Sequence, residues 1–221
     1  MNLPDNLLDP ALQWLGWGLF AAVFLLALRR APWGRLGDSA QSNVWLGTIV
    51  ILTLLWSIKA GVLPGLDLHL LGAMTFTLEF GPWLAFVGLS LVLAGITVNG
   101  AAGWESFGLN ALVMAGLPVL LAYGIYRFNQ RRLSKNPFVF IFANGFFGSA
   151  LTILATGVAA SALLYLGGAY PLEKLLDDYL PYFLLLGFSE AWLTGMVVTI
   201  LVVYRPQWIS TFDDSIYLAK K

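Results

Sequence analysis

One histidine, no cysteine and twelve carboxylates among 221 residues leave few options for side-chain chemistry. His69 is the first candidate, because a neutral imidazole is the commonest transition-metal ligand. Asp67 stands two residues before it, in the break Pro64-Gly65-Leu66-Asp67-Leu68-His69, and could orient the ring or ligate directly. An α-amino group titrates near ~7.7–8.0 and becomes a nitrogen donor once deprotonated. The Met1 amine is thus a candidate second donor, although nothing in the sequence singles it out. Asn2 is too large for efficient methionine removal, so Met1 is expected to persist. Two-imidazole sites within one chain, thiolate sites, disulfides and thiol nucleophiles are all excluded by composition.

Glu79 and Glu190 fall in or near apolar runs, where carboxylates are costly and often functional. Glu79 lies near the end of its run, so contact with water is expected. Glu190, beside Ser189 in mid-run, has two readings: hydrogen bonding between helices, or a place on a coupling or solute path. Hydrolase chemistry has weak support, since Gly148-Ser149-Ala150 lacks the final glycine of a Gly-x-Ser-Gly setting. No GxxxxGK[ST] loop is present, so the chain has no ATPase of its own. A non-enzymatic role is expected, with no cofactor.

The elements that must position these residues are membrane helices. Residues AVILMFWYC make up 59% of the chain and charged residues 11%, against about 25% charged in soluble domains. Mean hydropathy is +0.79. A pass needs ~20 apolar residues, so the chain is expected to be one integral membrane domain over 1–221, all-α, with about seven passes. A formal charge of zero gives no basic face for nucleic acid.

The apolar runs are Leu12–Leu28, Val44–Gly61, Leu68–Phe80, Trp83–Val98, Phe107–Tyr126, Phe138–Leu166 and Leu180–Tyr204. The third is short for a full span. With the N-terminus outside, one side collects Arg29, Arg30, Arg35, Arg127, Arg131, Arg132, Lys135, Arg205, Lys220 and Lys221, and the other only Lys59 and Lys174. The positive-inside rule then puts the C-terminus in the cytoplasm, which requires an odd number of passes. Asp5 and Asp9 precede any basic residue, the reverse of a signal peptide. Three polar segments share the outer side: the N-terminus, the break at 64–69 and the connector 99–110. Tryptophans such as Trp14, Trp33, Trp45, Trp56, Trp83, Trp104 and Trp208 are expected at the interfaces. Gly145, Gly148 and Gly157 are expected where helices approach closely.

The run His69-Leu70-Leu71-Gly72-Ala73 through Phe80-Gly81-Pro82 resembles the histidine-to-Gly-Pro segment of a known membrane subunit. That subunit is the CbiM/NikM-type substrate-binding component of cobalt and nickel energy-coupling-factor transporters. Gly108-Leu109-Asn110-Ala111, Met114 and Gly116-Leu117-Pro118 are similar to the family's central stretch, and Glu190, Leu193-Thr194 and Arg205-Pro206 to its last span. Met1-Asn2-Leu3-Pro4-Asp5 resembles its Met-His-Ile-Pro-Asp opening. The matches run in one order over nearly the whole chain.

The resemblance implies seven helices with the N-terminus tucked back into the protein, where the family binds a divalent metal. Carried over, Met1 would give its amine, Asn2 its backbone nitrogen and His69 its imidazole. Asn110 would hold the N-terminus or His69. The implied partners are the lipid bilayer, a transmembrane coupling subunit and cytoplasmic ATPases, in a bacterial or archaeal plasma membrane. Two departures stand out. Residue 2 is asparagine where the family has histidine, and the family's His-Gly-Gly-Leu-Thr-Thr run reads Ala94-Gly95-Ile96-Thr97-Val98-Asn99. An amide is a poorer ligand than imidazole for Ni²⁺ or Co²⁺, so affinity falls, or Asn2, Asp5 or Asp67 completes the site, or this branch carries something else. The expected function is capture of a cobalt- or nickel-like ion on the outer side. Its rivals are a scaffold that kept the fold and lost metal capture, and a stand-alone ion carrier.

Overall fold

A computed structural model describes residues 1–61 and 63–217; Lys220 and Lys221 lie outside the described residues. The main elements are α1 (Pro10–Arg30), α2 (Ser39–Ser57), α3 (Ala73–Val98), α4 (Phe107–Arg132), α5 (Pro137–Leu166), α6 (Leu172–Asp178), α7 (Tyr182–Tyr204) and α8 (Asp214–Tyr217). Six of them, α1–α5 and α7, are long and apolar enough to cross a membrane. The chain is a polytopic all-α membrane protein.

Local sequence explains the helix boundaries. Asp9 and Asp38 accept the Ala11 and Ala40 amides at the starts of α1 and α2, and Asn136 does the same for Phe138 in α5. Proline stands at the first position of α1 and of α5, where a missing N–H costs nothing. Single π turns interrupt α4 at Leu112–Gly116 and α5 at Ile141–Phe146. Helix α3 is the axis, with Phe76, Leu78, Leu84 and Leu89 fully buried. Close packing rather than water exclusion holds such helices together. At the α1–α4 crossing, a Cβ on Gly108 would lie 2.5–2.6 Å from the backbone of Gly16 and Trp17, so only glycine fits. Gly145, Gly148 and Gly157 face Val198, Met74 and Phe183 at similar crossings.

The expected short third span over Leu68–Phe80 is only partly helical. Residues 68–72 are outside any helix, and Ala73–Phe80 is the first half of α3. The halves meet at Gly81 (φ 76°, ψ 172°), a conformation reserved for glycine, followed by Pro82, which has no N–H to continue the ladder. This broken segment still connects the two ends of the bundle. Next to its start, the Asp67 carbonyl meets the N-terminus. Near its other end, the Leu78 and Glu79 carbonyls accept the Thr211 and Ser210 amides beyond α7. Arg35 and Gln41 reach the Trp208 and Gln207 carbonyls, and Tyr126 the Thr211 carbonyl, so these loops share that second, basic end.

Two tryptophans expected at the interfaces are internal. Trp45 and Trp56 are buried and donate to the Leu84 and Leu71 carbonyls, tying α2 to α3 and its lead-in. Trp14 and Trp104 are exposed as expected.

Candidate metal centre

The first five residues thread into the polar end of the bundle and are held by paired hydrogen bonds. Asn110, buried on α4, accepts the Leu3 amide at 2.9 Å and donates to the Leu3 carbonyl at 3.0 Å. Ser106 donates its hydroxyl to the Pro4 carbonyl at 3.0 Å, and its amide donates to Asp5 Oδ1 at 3.1 Å. Met1, Asn2 and Leu3 are buried as a result. The Met1 amine donates to the Asp67 carbonyl. The Asp67 side chain turns the other way, into an ion pair with Lys59 at 2.8 Å. Asp67 thus supplies a backbone oxygen to the N-terminus while its carboxylate is engaged elsewhere.

His69 is buried at the same place, and both its ring nitrogens face oxygen. Nδ1 is 3.1 Å from the Leu70 carbonyl and Nε2 is 3.0 Å from Asn2 Oδ1. A neutral imidazole carries one N–H and one lone pair, so it can satisfy only one of these contacts. Turning the Asn2 amide moves the conflict without removing it. The amide nitrogen now faces the Ala101 carbonyl at 3.4 Å, and exchanging the two amide atoms would set oxygen against that carbonyl. Imidazolium would satisfy both contacts, but burial pushes His69 down to about 3, aided by the neighbouring N-terminal amine. Burial likewise lowers the Met1 amine to about 4. Near neutral pH the two groups are unprotonated nitrogen donors, and a bound cation between Nε2 and Oδ1 would resolve the conflict.

The ring is held from behind. Trp56 packs on it with ring centroids 4.9 Å apart, and its indole N–H fixes the Leu71 carbonyl at 3.1 Å. Both oxygens of Glu190 are engaged, accepting the Leu71 amide at 2.9 Å and the Gly72 amide at 2.7 Å. A carboxylate here faces the unpaired N–H groups at the start of α3, where negative charge is favoured. Glu190 hydrogen-bonds through both oxygens and ties α7 to the extended segment that carries His69.

Met1, Asn2 and His69 are therefore brought together. Asp5, Asp67, Asn110 and Glu190 surround them through the bonds described. Trp56, Lys59, Ala101 and Ser106 were not legible as site residues, since tryptophan reads as an anchor and backbone carbonyls have no sequence signature. Tyr179 was also missed; its buried hydroxyl has no partner among the described residues, and it lies within electrostatic reach of Asp67. Glu79 is not the water-contacting residue expected: it is buried, with Thr48 donating to it at 3.4 Å. Ser149 donates to the Gly145 and Phe146 carbonyls of its own helix. Among the described residues, no cluster of three or more histidine or carboxylate side chains is placed to hold a metal. A cation here would depend on the amine and the amide beside His69.

The architecture has solved counterparts. A truncated transition metal transporter superposes with a TM-score of 0.74 at 23% identity, covering 92% of this chain and 99% of that one. A second structure, of a transition metal transporter, gives 0.72 at 22% identity, covering 92% and 93%. These likenesses show the fold. Among curated proteins, no sequence matches. The family described as the cobalt uptake substrate-specific transmembrane region, CbiM, matches residues 2–208. The chain belongs to the CbiM family of metal-uptake membrane components.

Proposed function

We propose that the chain captures a divalent transition-metal ion, cobalt- or nickel-like, through the Met1 amine, Asn2 and His69. The observation that carries this reading is the convergence of His69 Nε2 and Asn2 Oδ1, 3.0 Å apart, beside a buried amine. Two nitrogen donors and an amide oxygen are a set that borderline metals accept. Asn2 would contribute its side-chain oxygen where the family's histidine would give an imidazole, and its backbone nitrogen can add a further contact. The transporters with a similar fold support a metal as cargo.

The end holding this site faces outward in the reading favoured by charge. Arg29, Arg30, Arg35, Arg127, Arg131, Arg132, Lys135 and Arg205 gather at the opposite end, as the positive-inside rule requires of a cytoplasmic face. The ion is taken up from outside a bacterial or archaeal plasma membrane. Energy comes from a separate coupling subunit and cytoplasmic ATPases, since the chain has no phosphate-binding loop.

Equilibrium binding of Ni²⁺, Co²⁺, Cu²⁺ and Zn²⁺ tests the reading, using untagged protein, His69→Ala, and a form extended by two residues before Met1. Stoichiometric binding lost in both variants is the expected result, and the order of affinities names the cargo. Absence of binding by the parent would end the metal reading and leave a scaffold or a carrier of another solute. Uptake by the chain alone in ATP-free liposomes would instead argue for a stand-alone carrier.

A further inference from the structure

The basic end holds a cavity of about 580 Å³ that has no part in the metal reading. Four cations line it: Arg35, Arg127, Arg131 and Lys135. Tyr123, Tyr126, Ser210 and Thr211 also line it, and no carboxylate residue does. Arg127 is oriented by its bond to the Tyr123 hydroxyl at 3.2 Å, with its guanidinium 5.8 Å from that ring. Arg131 lies one turn further on the same face of α4. Arg35 is tied to Gln41 and the Trp208 carbonyl, which fixes the floor.

A second cavity, of about 500 Å³, opens between α1, α3 and α4 and shares Pro82 and Tyr123 with the first. Its lining is apolar, from Val23 and Leu26 through Phe86 to Leu117 and Leu120. Leu120 and Leu26 are exposed, so this groove opens on the lipid-facing surface of the bundle. Arg30 sits at its rim, 5.7 Å from the Trp83 ring.

We propose that the two cavities together bind one anionic phospholipid, its phosphate headgroup among Arg35, Arg127 and Arg131 and an acyl chain in the groove past Tyr123. Charge complementarity fixes the sign of the headgroup, and the shared wall of Pro82 and Tyr123 makes the ligand amphipathic. A basic pocket between membrane helices is a known setting for acidic headgroups. Because Gly81 and Pro82 form the break in α3, the lipid would brace the turn that joins its halves.

The test is native mass spectrometry of delipidated protein titrated with phosphatidylglycerol and, separately, phosphatidylcholine of the same acyl chains. One equivalent of phosphatidylglycerol is expected to bind at least roughly tenfold tighter, with each headgroup-contacting cation contributing about fivefold. Arg127→Gln with Arg131→Gln should reduce that preference to about fivefold or less, what Arg35 alone supplies. Arg132→Gln, which removes a charge from the same end outside the cavity, should leave it within about twofold. Leu120→Trp, which fills the groove, should weaken both lipids while preserving their ratio. Equal binding of the two lipids by the parent would overturn the proposal. So would an undiminished preference after the double substitution in protein whose melting temperature is unchanged. Full displacement by soluble glycerol phosphate would assign the cavity to a free phosphorylated solute and also overturn it. The parent titration and this competition decide the matter even if the double variant fails to fold.

Discussion

Around Met1, nearly every polar group has a partner: Asn110 is doubly bonded to Leu3, Ser106 holds both Pro4 and Asp5, and Lys59 pairs with Asp67. At the other end, Arg127, Arg131 and Lys135 line an open cavity that holds no carboxylate. The same contrast appears between two buried carboxylates at the ends of the first half of α3. Glu190 accepts two backbone amides at under 3 Å, whereas Glu79 has one side-chain contact, from Thr48 at 3.4 Å. One end is preorganised around a single unresolved conflict between lone pairs, which is what a selective ion site requires. The other is loosely coordinated and charged, which suits a larger, softer ligand.

The sharpest way to break this comparison is at His69. His69→Ala removes a nitrogen donor and should lower metal affinity by more than about 100-fold, since losing even a supporting residue costs roughly 10–100-fold. Isothermal titration on untagged protein reads this directly. Retention of stoichiometric binding would show that the polar end is a structural plug.

Glu190→Gln and Glu79→Gln test the carboxylate pair. Glutamine at 190 keeps one acceptor and sets an amide NH₂ against a backbone N–H, which should cost about 1–3 kcal/mol. Metal affinity should fall by roughly 10–100-fold as the extended segment carrying His69 loosens. Glu79→Gln should cost less than about 1 kcal/mol and leave affinity unchanged. Melting temperature and titration on the two variants, side by side, check both statements. Equal effects would erase the distinction between the ends.

Asn2→His asks whether residue 2 limits the site. An added imidazole should raise affinity for Ni²⁺ or Co²⁺ by roughly tenfold, or about 1.4 kcal/mol. Unchanged affinity would mean that the Asn2 side chain contributes nothing and that its backbone nitrogen alone meets the metal.

Much of this architecture is legible in the residues, and its failures have physical causes. Helix ends followed from charges and caps: Arg29 and Arg30 close α1, Asn99 ends α3, and Arg205-Pro206 follows α7. Hydropathy reads the third apolar run as helix throughout, although residues 68–72 are extended, because it does not distinguish extended from helical chain. Gly81 marks its end but does not reveal that helix is absent before Ala73; the backbone pairing of Leu68 with Ala60 and the bonds from Trp56 and Glu190 hold residues 68–72 extended. His69 was visible as the lone histidine, Glu190 as a carboxylate in the middle of an apolar run, and Asn110 through the family resemblance. Trp56 was not, because a tryptophan at a span end looks the same whether it faces lipid or an imidazole. The carbonyls of Asp67, Leu70 and Ala101 belong to the backbone and leave no trace in residue type.

The smallest expected effect concerns pH. The Met1 amine falls from 8.0 to about 4 and His69 from 6.5 to about 3, both chiefly through burial. For bases lowered in this way, the unfolded chain binds more protons than the folded one, so stability rises with pH. The amine contributes this slope between about 4 and 8, and His69 between about 3 and 6.5. Above about 8 neither group adds any. Melting temperature should therefore climb from acid to neutral and then level off, with a shallower climb in His69→Ala. Metal affinity behaves differently, because the folded donors are already unprotonated. It should change by less than about threefold between roughly pH 6 and pH 8. The basic end supplies the control, as arginine keeps its charge throughout that range. A tenfold loss of affinity per pH unit would mean that the donors carry protons in the folded protein, and that the polar end is more open to water than its burial implies.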